Sequence, residues 1–178
     1  MTEELNLFLD EYPADLCQSN LFCMAVVDVP DGRRMLPASF DPLSFVQTNS
    51  IRGYVGYIDS LKEPKISDYS KKWIFAREDE IKGVNMLWST MAIYCTFGFI
   101  VNFHKQICPP PINIFHDPKS LSDEHRKATY DFLKQNLPEV FGLFTQERVR
   151  PKLLRVEPWT KSSIGIQLAD FLAREYIH

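Results

Sequence analysis

Cysteine is scarce and scattered in this chain. Cys17, Cys23, Cys95 and Cys108 form no C-x-x-C pair and no dense framework. That excludes a disulfide-stapled miniature fold, and reduced thiols in a cytoplasmic protein are the expectation. Glycine is also sparse, with 7 residues against 12 prolines, so the loops should be firm and punctuated. A strong positive balance is missing. The net charge of -3 argues against a protein that coats nucleic acid by charge alone. It leaves room for a nucleic-acid enzyme, because a cluster of metal-binding carboxylates itself lowers the net charge. The N-terminus, Met-Thr-Glu-Glu, is acidic and precedes only a short apolar run, unlike a secretory signal. No internal repeat or low-complexity segment is visible. No G-x-S-x-G elbow or paired base marks a Ser or Cys nucleophile.

What is present is a chain of 178 residues, 45% hydrophobic and 13% aromatic. That is enough for one domain, residues 1–178, with a substantial core. One stretch has no charge: Val84–Phe103, 20 residues long. Its length could cross a bilayer. However, Asn85, Ser89, Thr90, Thr96, Gly98 and Asn102 interrupt it, and neither a second span nor a clear aromatic belt accompanies it. The expected form is a long helix packed on a sheet, with some apolar surface available to a second copy of the chain in a homodimer.

In chain order, Leu5–Glu11 alternates as a strand, Leu5, Leu7 and Leu9 on one face and Asn6, Phe8 and Asp10 on the other. Leu21–Val29 is a second strand, closed by the turn signal Pro30-Asp31-Gly32. Asp41-Pro42 starts a short helix that ends near Asn49, and Gly53–Tyr57 could be a third strand. Pro109-Pro110-Pro111 ends the uncharged helix, and Ile112–Phe115 is a short buried strand leading to His116-Asp117-Pro118. Ser122 or Asp123 caps a helix to about Asn136, and Lys152–Val156 is a strand. The final helix, Ser162–Ile177, is apolar almost all round, with Ser162 or Ser163 as its cap. Strands and helices in this order predict an α/β fold, a mixed sheet flanked by helices.

Three carboxylates then stand out. Asp10 ends the first strand, Asp117 follows the strand Ile112–Phe115, and Asp170 lies in the polar line Ser163, Gln167, Asp170, Arg174 of the last helix. Glu80, before the uncharged helix, is a fourth candidate, with a solvated helix start as its alternative. Strand ends and a helix laid across them can bring such groups together. Crowded carboxylates oppose one another's ionisation, and a hard divalent cation, Mg²⁺ or Mn²⁺, relieves the conflict. Two such ions serve phosphoryl displacement by activating water, with no side-chain base. Asp10, Asp117 and Asp170 are thus the candidate metal ligands, and with Glu80 the candidate catalytic residues. Glu11 points to the opposite face of a regular strand, which suits a supporting role. Gln167 either bonds backbone or orients a ligand, and Lys82 is either a surface lysine or a phosphate contact. Positive charge gathers in Arg148, Arg150, Lys152, Arg155 and Lys161, with Trp159 among them. That is a solvated face or a strip that tracks a nucleic-acid backbone. A zinc site at His104, Cys108 and His116 is not expected, because Pro109 breaks the helix and a fourth ligand is missing.

The placing of these residues resembles a bacterial and phage domain-of-unknown-function family marked by an N-terminal Asp-Glu pair and a C-terminal Gln-x-x-Asp motif. Here those are Leu7-Phe8-Leu9-Asp10-Glu11 and Gln167-Leu168-Ala169-Asp170. Glu80-Ile81-Lys82-Gly83 is similar to a Glu-x-Lys-Gly element, and Phe115-His116-Asp117 occupies the fourth-strand position. Where that family has Asp-Glu-Ser-Gly, this chain has Asp10-Glu11-Tyr12-Pro13. The resemblance implies a ribonuclease-H-like fold and a metal-dependent nuclease acting on RNA or DNA, by fold-level analogy. The alternative is a non-catalytic binding or regulatory module on the same fold.

Overall fold

Alternation in the first strand sets the two faces of the sheet. In the computed structural model, which describes residues 3–12, 21–59, 83–104, 109–144 and 150–177, that strand is β1 (Leu5–Tyr12). It is followed by β2 (Leu21–Asp28), α1 (Pro42–Asn49), β3 (Arg52–Asp59), α2 (Met86–Phe103), β4 (Ile112–His116), α3 (Asp123–Phe144), β5 (Leu153–Pro158) and α4 (Ile164–Ile177). The five strands form one sheet in the order β3-β2-β1-β4-β5. β1, β2 and β3 pair antiparallel, whereas β4 is parallel to both β1 and β5. The molecule is therefore α/β with a mixed sheet flanked by helices.

Leu5, Leu7 and Leu9 of β1 share a core with Ile112 and Ile114 of β4 and with the buried residues of α2 and α3. Phe8 and Phe115 point to the other face and pack with Ile164, Ile166, Leu168 and Ala169 of α4. Each strand thus serves two hydrophobic layers, as its period-two pattern requires.

The uncharged run becomes α2. Its start is capped by Asn85, whose side chain accepts a hydrogen bond from the Trp88 amide at 3.1 Å. Among the described residues it is the one helix long and apolar enough to cross a membrane, and it is mostly buried inside the chain. Most of its apolar surface is thus used in the core, while Tyr94, Val101 and Phe103 stay exposed.

The short helix α1 forms as its sequence predicts. Asp41 accepts from the Ser44 amide, Pro42 opens the helix, and Ser50 ends it in the left-handed region. The third helix departs from expectation. It does not stop near Asn136 but runs through Pro138 to Phe144. An internal proline costs about 3 kcal/mol. Leu133, Leu137 and Phe141, spaced four apart and all buried, offset that cost by burying about 1.5–3 kcal/mol of side chain each.

The start of α4 is fixed on both sides. Ser163 is buried and its Oγ accepts from the Ile166 amide at 3.5 Å. The loop after β2 runs alongside: the Gly165 amide donates to the Gly32 carbonyl at 2.8 Å, Ile164 to Arg34 at 2.9 Å, and Leu36 to Ser162 at 2.8 Å. This ledge lies against Phe8, which is fully buried and stacks on Phe115 with ring centres 5.2 Å apart. A Cβ at Gly32 or at Gly165 would overlap the Phe8 ring. Gly165 therefore permits the close approach of α4 to Phe8. Gly165→Ala should destabilise the protein by about 1–3 kcal/mol through overpacking, measured by urea unfolding. An unchanged midpoint would show that the Phe8 ring yields freely.

Candidate functional site

Ligands in open α/β sheets bind outside the carboxyl ends of strands, where the winding direction reverses. Here the chain leaves β1 toward β2 on one side, and leaves β4 toward β5 on the other. β1 and β4 are parallel neighbours, so the reversal lies between them. Leu9 pairs with His116, which sets Asp10 beside Asp117 at the two carboxyl ends. Both acids follow Phe8 and Phe115 on the face that α4 covers, and α4 carries Asp170.

Asp10 is 4% exposed. Its Oδ1 accepts from the Glu11 amide at 2.9 Å, while Oδ2 is buried with no hydrogen-bond partner among the described residues. Burial pushes its carboxyl from 3.8 up to about 8, and the charges of Glu11, Asp117 and Asp170 add to the rise. The three predicted ligands therefore share one electrostatic neighbourhood.

The other two acids already have partners. Asp117 Oδ1 accepts from the Lys119 amide at 2.8 Å, holding a tight turn, and its Oδ2 lies 3.7 Å from Lys161 Nζ. Asp170 is half-buried, not deeply buried. Both of its oxygens accept from Arg174 Nε at 2.9 Å, one helical turn along, and the Arg174 guanidinium sits 4.6 Å from the centre of the Tyr12 ring. Gln167 takes the first of its two expected roles, donating to the Lys161 carbonyl at 2.7 Å.

Glu11 faces the opposite side, as a regular strand requires. Its Oε2 accepts from Ser120 Oγ at 2.9 Å and from the Trp88 indole at 3.4 Å. Burial raises its carboxyl to about 7 despite those hydrogen bonds, with a further push from Asp117. His116 shares this side, edge-on to Trp88 at 5.2 Å. The Asp117 carbonyl can only accept, so the 2.7 Å contact fixes the proton on His116 Nδ1, and Nε2 accepts from the Tyr130 hydroxyl at 2.5 Å. Burial holds the imidazole down at about 4, hence neutral.

The basic strip divides. Arg150 pairs with Glu139 at 2.8 Å, away from the acids, near the amino end of β5. Lys152 is exposed at that same end, and Arg155 lies midway along β5, also exposed. Lys161 and Trp159 follow the carboxyl end of β5 and adjoin the acids. The Trp159 amide donates to the His116 carbonyl at 2.9 Å. Glu80, Lys82 and Arg148 lie outside the described residues. The structure adds residues that the sequence pattern did not single out. One is Arg174, whose i, i+4 spacing from Asp170 was visible. Another is Ser120, in the turn after Asp117. The third is Arg33, which adjoins Trp159.

The donor set suits a hard divalent cation. It consists of carboxylate oxygens, which Mg²⁺ and Mn²⁺ prefer, and Asp10 contributes a buried oxygen with no hydrogen-bond partner among the described residues. Among the described residues, no three acidic, His or Cys side chains are close enough to make a ready-formed cage. Asp10, and Asp117 on release of Lys161, could serve as ligands, within the one or two carboxylates Mg²⁺ commonly takes. Asp170 would join them by releasing Arg174.

Asp10 and Glu11 both hold protons more tightly in the folded chain than in the unfolded one. Their contribution to stability is therefore complete below their ordinary values near 4 and is lost as pH rises through about 7 and 8. In a chelator, unfolding free energy should fall from about pH 4 to about pH 8, by up to about 1.4 kcal/mol per pH unit for each group, and level off above. Asp10→Asn should flatten that slope. An equal slope in the variant would place the proton uptake on another residue.

Set against family models, curated proteins and solved structures, the chain matches none, so the site is described by its own geometry.

Proposed function

We propose that this chain is a metal-dependent nuclease of ribonuclease-H-like type, hydrolysing phosphodiesters of RNA or DNA. The observation that carries this reading is Asp10, a buried carboxylate with an oxygen that has no partner among the described residues, at the winding reversal of a mixed sheet, with Asp117 and Asp170 as neighbours. The mixed sheet flanked by helices supports the fold reading, as do the Asp-Glu and Gln-x-x-Asp resemblances.

In this reading Asp10 and Asp117 hold Mg²⁺ or Mn²⁺, and Asp170 completes the set. When bound, the cation supplies Lewis acidity to the phosphodiester and makes water a better nucleophile. The chain's own residues provide the frame. Packing of Phe8 on Phe115 fixes the ends of β1 and β4. The Lys119 amide orients Asp117 by binding the oxygen that does not face Lys161. Trp88 and Ser120 keep Glu11 on the far side of the sheet, where it adds negative potential without crowding the ligands. Lys161 and Arg174 balance the acids and provide positive charge for an incoming phosphate.

The same two cations favour a second reading, a non-catalytic module. Asp117 and Asp170 are each neutralised internally, so the fold can stand without a metal. One experiment separates the readings. Wild type should cleave single- or double-stranded RNA or DNA with Mn²⁺ or Mg²⁺ and should stop in chelator. Asp10→Asn and Asp170→Asn should each lose more than about 100-fold, beyond what loss of an outer partner costs. Wild-type inactivity on all four substrates would favour the module, and activity that survives both substitutions would assign the cleavage elsewhere.

A further inference from the structure

Arg33 lies in the loop that runs along the start of α4. Its guanidinium carbon is 5.5 Å from the centre of the Phe115 ring and 5.7 Å from that of Trp159. The Trp159 indole donates to the Arg33 carbonyl at 3.0 Å, so backbone and side chain are both tied to the same tryptophan. Trp159 in turn meets Phe115 edge-on at 5.7 Å. Arg33 is exposed and forms no ion pair among the described residues. Arg150, Arg126 and Arg174, by contrast, are each committed to a carboxylate. An arginine set against two rings keeps its charge and its donors available. It also loses less freedom on binding than a mobile side chain would.

Its position gives that charge a use. Phe115 and Asp117 lie on the same face of one strand, two residues or roughly 7 Å apart. Arg33 over Phe115 is therefore one strand step from Asp117, and Lys161 stands beside Asp117 itself. An anionic strand approaching a cluster of carboxylates needs cations along its path. Arg33 and Lys161 supply two in succession, and Trp159 offers an aromatic surface between them.

We infer that Arg33, braced by Phe115 and Trp159, grips a backbone phosphate of a single-stranded nucleic acid next to the phosphate held at the acids, with Lys161 between the two. This rests on the nuclease reading of the acidic site and names the residue that positions its substrate. Single strands are favoured because aromatic stacking serves unpaired bases.

The test separates gripping from cleavage. Binding of a fluorescein-labelled 12-residue oligonucleotide is followed by anisotropy, in chelator, across a salt series. Wild type should bind with affinity that falls with salt. Arg33→Ala should weaken binding roughly tenfold at low salt and reduce the salt slope by about 1. Arg33→Lys should restore the slope but only part of the affinity, because the planar stack is lost. Inorganic phosphate at millimolar concentration should displace the strand poorly, since one anion cannot span both cations. Circular dichroism of each variant should match wild type, and the urea midpoint should fall only slightly, by no more than the loss of two exposed cation–ring contacts. Unchanged affinity and slope in Arg33→Ala would overturn the inference, as would a wild type that binds no oligonucleotide. Arg33-dependent binding with no cleavage under Mn²⁺ would retain the grip and reject the nuclease. Cleavage that is indifferent to Arg33 would do the reverse.

Discussion

A carboxylate taken out of water must find compensation, and Asp10 is where this fold meets that demand. Removing one from solvent costs several kcal/mol even after relaxation. At Asp10 a single backbone amide compensates one oxygen, and no described residue compensates the other. The surrounding charges make the cost larger, because Glu11, Asp117 and Asp170 all oppose its ionisation. The protein contains this conflict by splitting it between two faces. Glu11 turns to the α2 side and is held by Trp88 and Ser120, while Asp10 stays on the α4 side. Asp117 and Asp170 each have a local cation, so of these three acids Asp10 alone is left uncompensated among the described residues.

The sheet makes this arrangement possible. Three antiparallel strands and a parallel pair meet at β1, and the carboxyl ends of β1 and β4 come side by side because the chain winds away from them in opposite directions. Phe8 and Phe115 stack just behind the two acids and so set the spacing of the strand ends. The buried helix α2 closes the opposite face. Its indole and the ordered tautomer of His116 form a second, neutral polar layer beneath the site.

Much of this was legible in the sequence, for identifiable reasons. Period-two alternation placed Leu5, Leu7 and Leu9 opposite Phe8 and Asp10. Asp41-Pro42 announced α1, and Ser163 announced α4. Asp10 and Asp117 could be named because both lie at the carboxyl side of apolar strands, although β1 does not stop at Asp10 but pairs with β2 as far as Tyr12. The length of α3 was hidden, since Pro138 is a local stop signal and only the tertiary burial of Leu137 and Phe141 overrides it. The apolar run of the last helix suggests a deeper place for Asp170 than the half-buried one it has. The helix looked apolar all round, yet its polar line reaches the edge of the packed face, where Arg174 meets the acid. The basic strip looked continuous because proximity in sequence ignores the length of β5, which separates Lys152 from Lys161. Arg33 could not be recognised locally at all. Its place depends on rings at positions 115 and 159, and only the folded sheet brings them together.

The backbone bonds between Gly32–Leu36 and Ser162–Gly165 have a consequence beyond packing. They rivet the loop bearing Arg33 to the helix bearing Asp170, with Phe8 as the pin between them. Arg33 and Asp170 are therefore mounted on one bracket, so a displacement of the helix would carry the loop with it and conserve the gap between cation and acid.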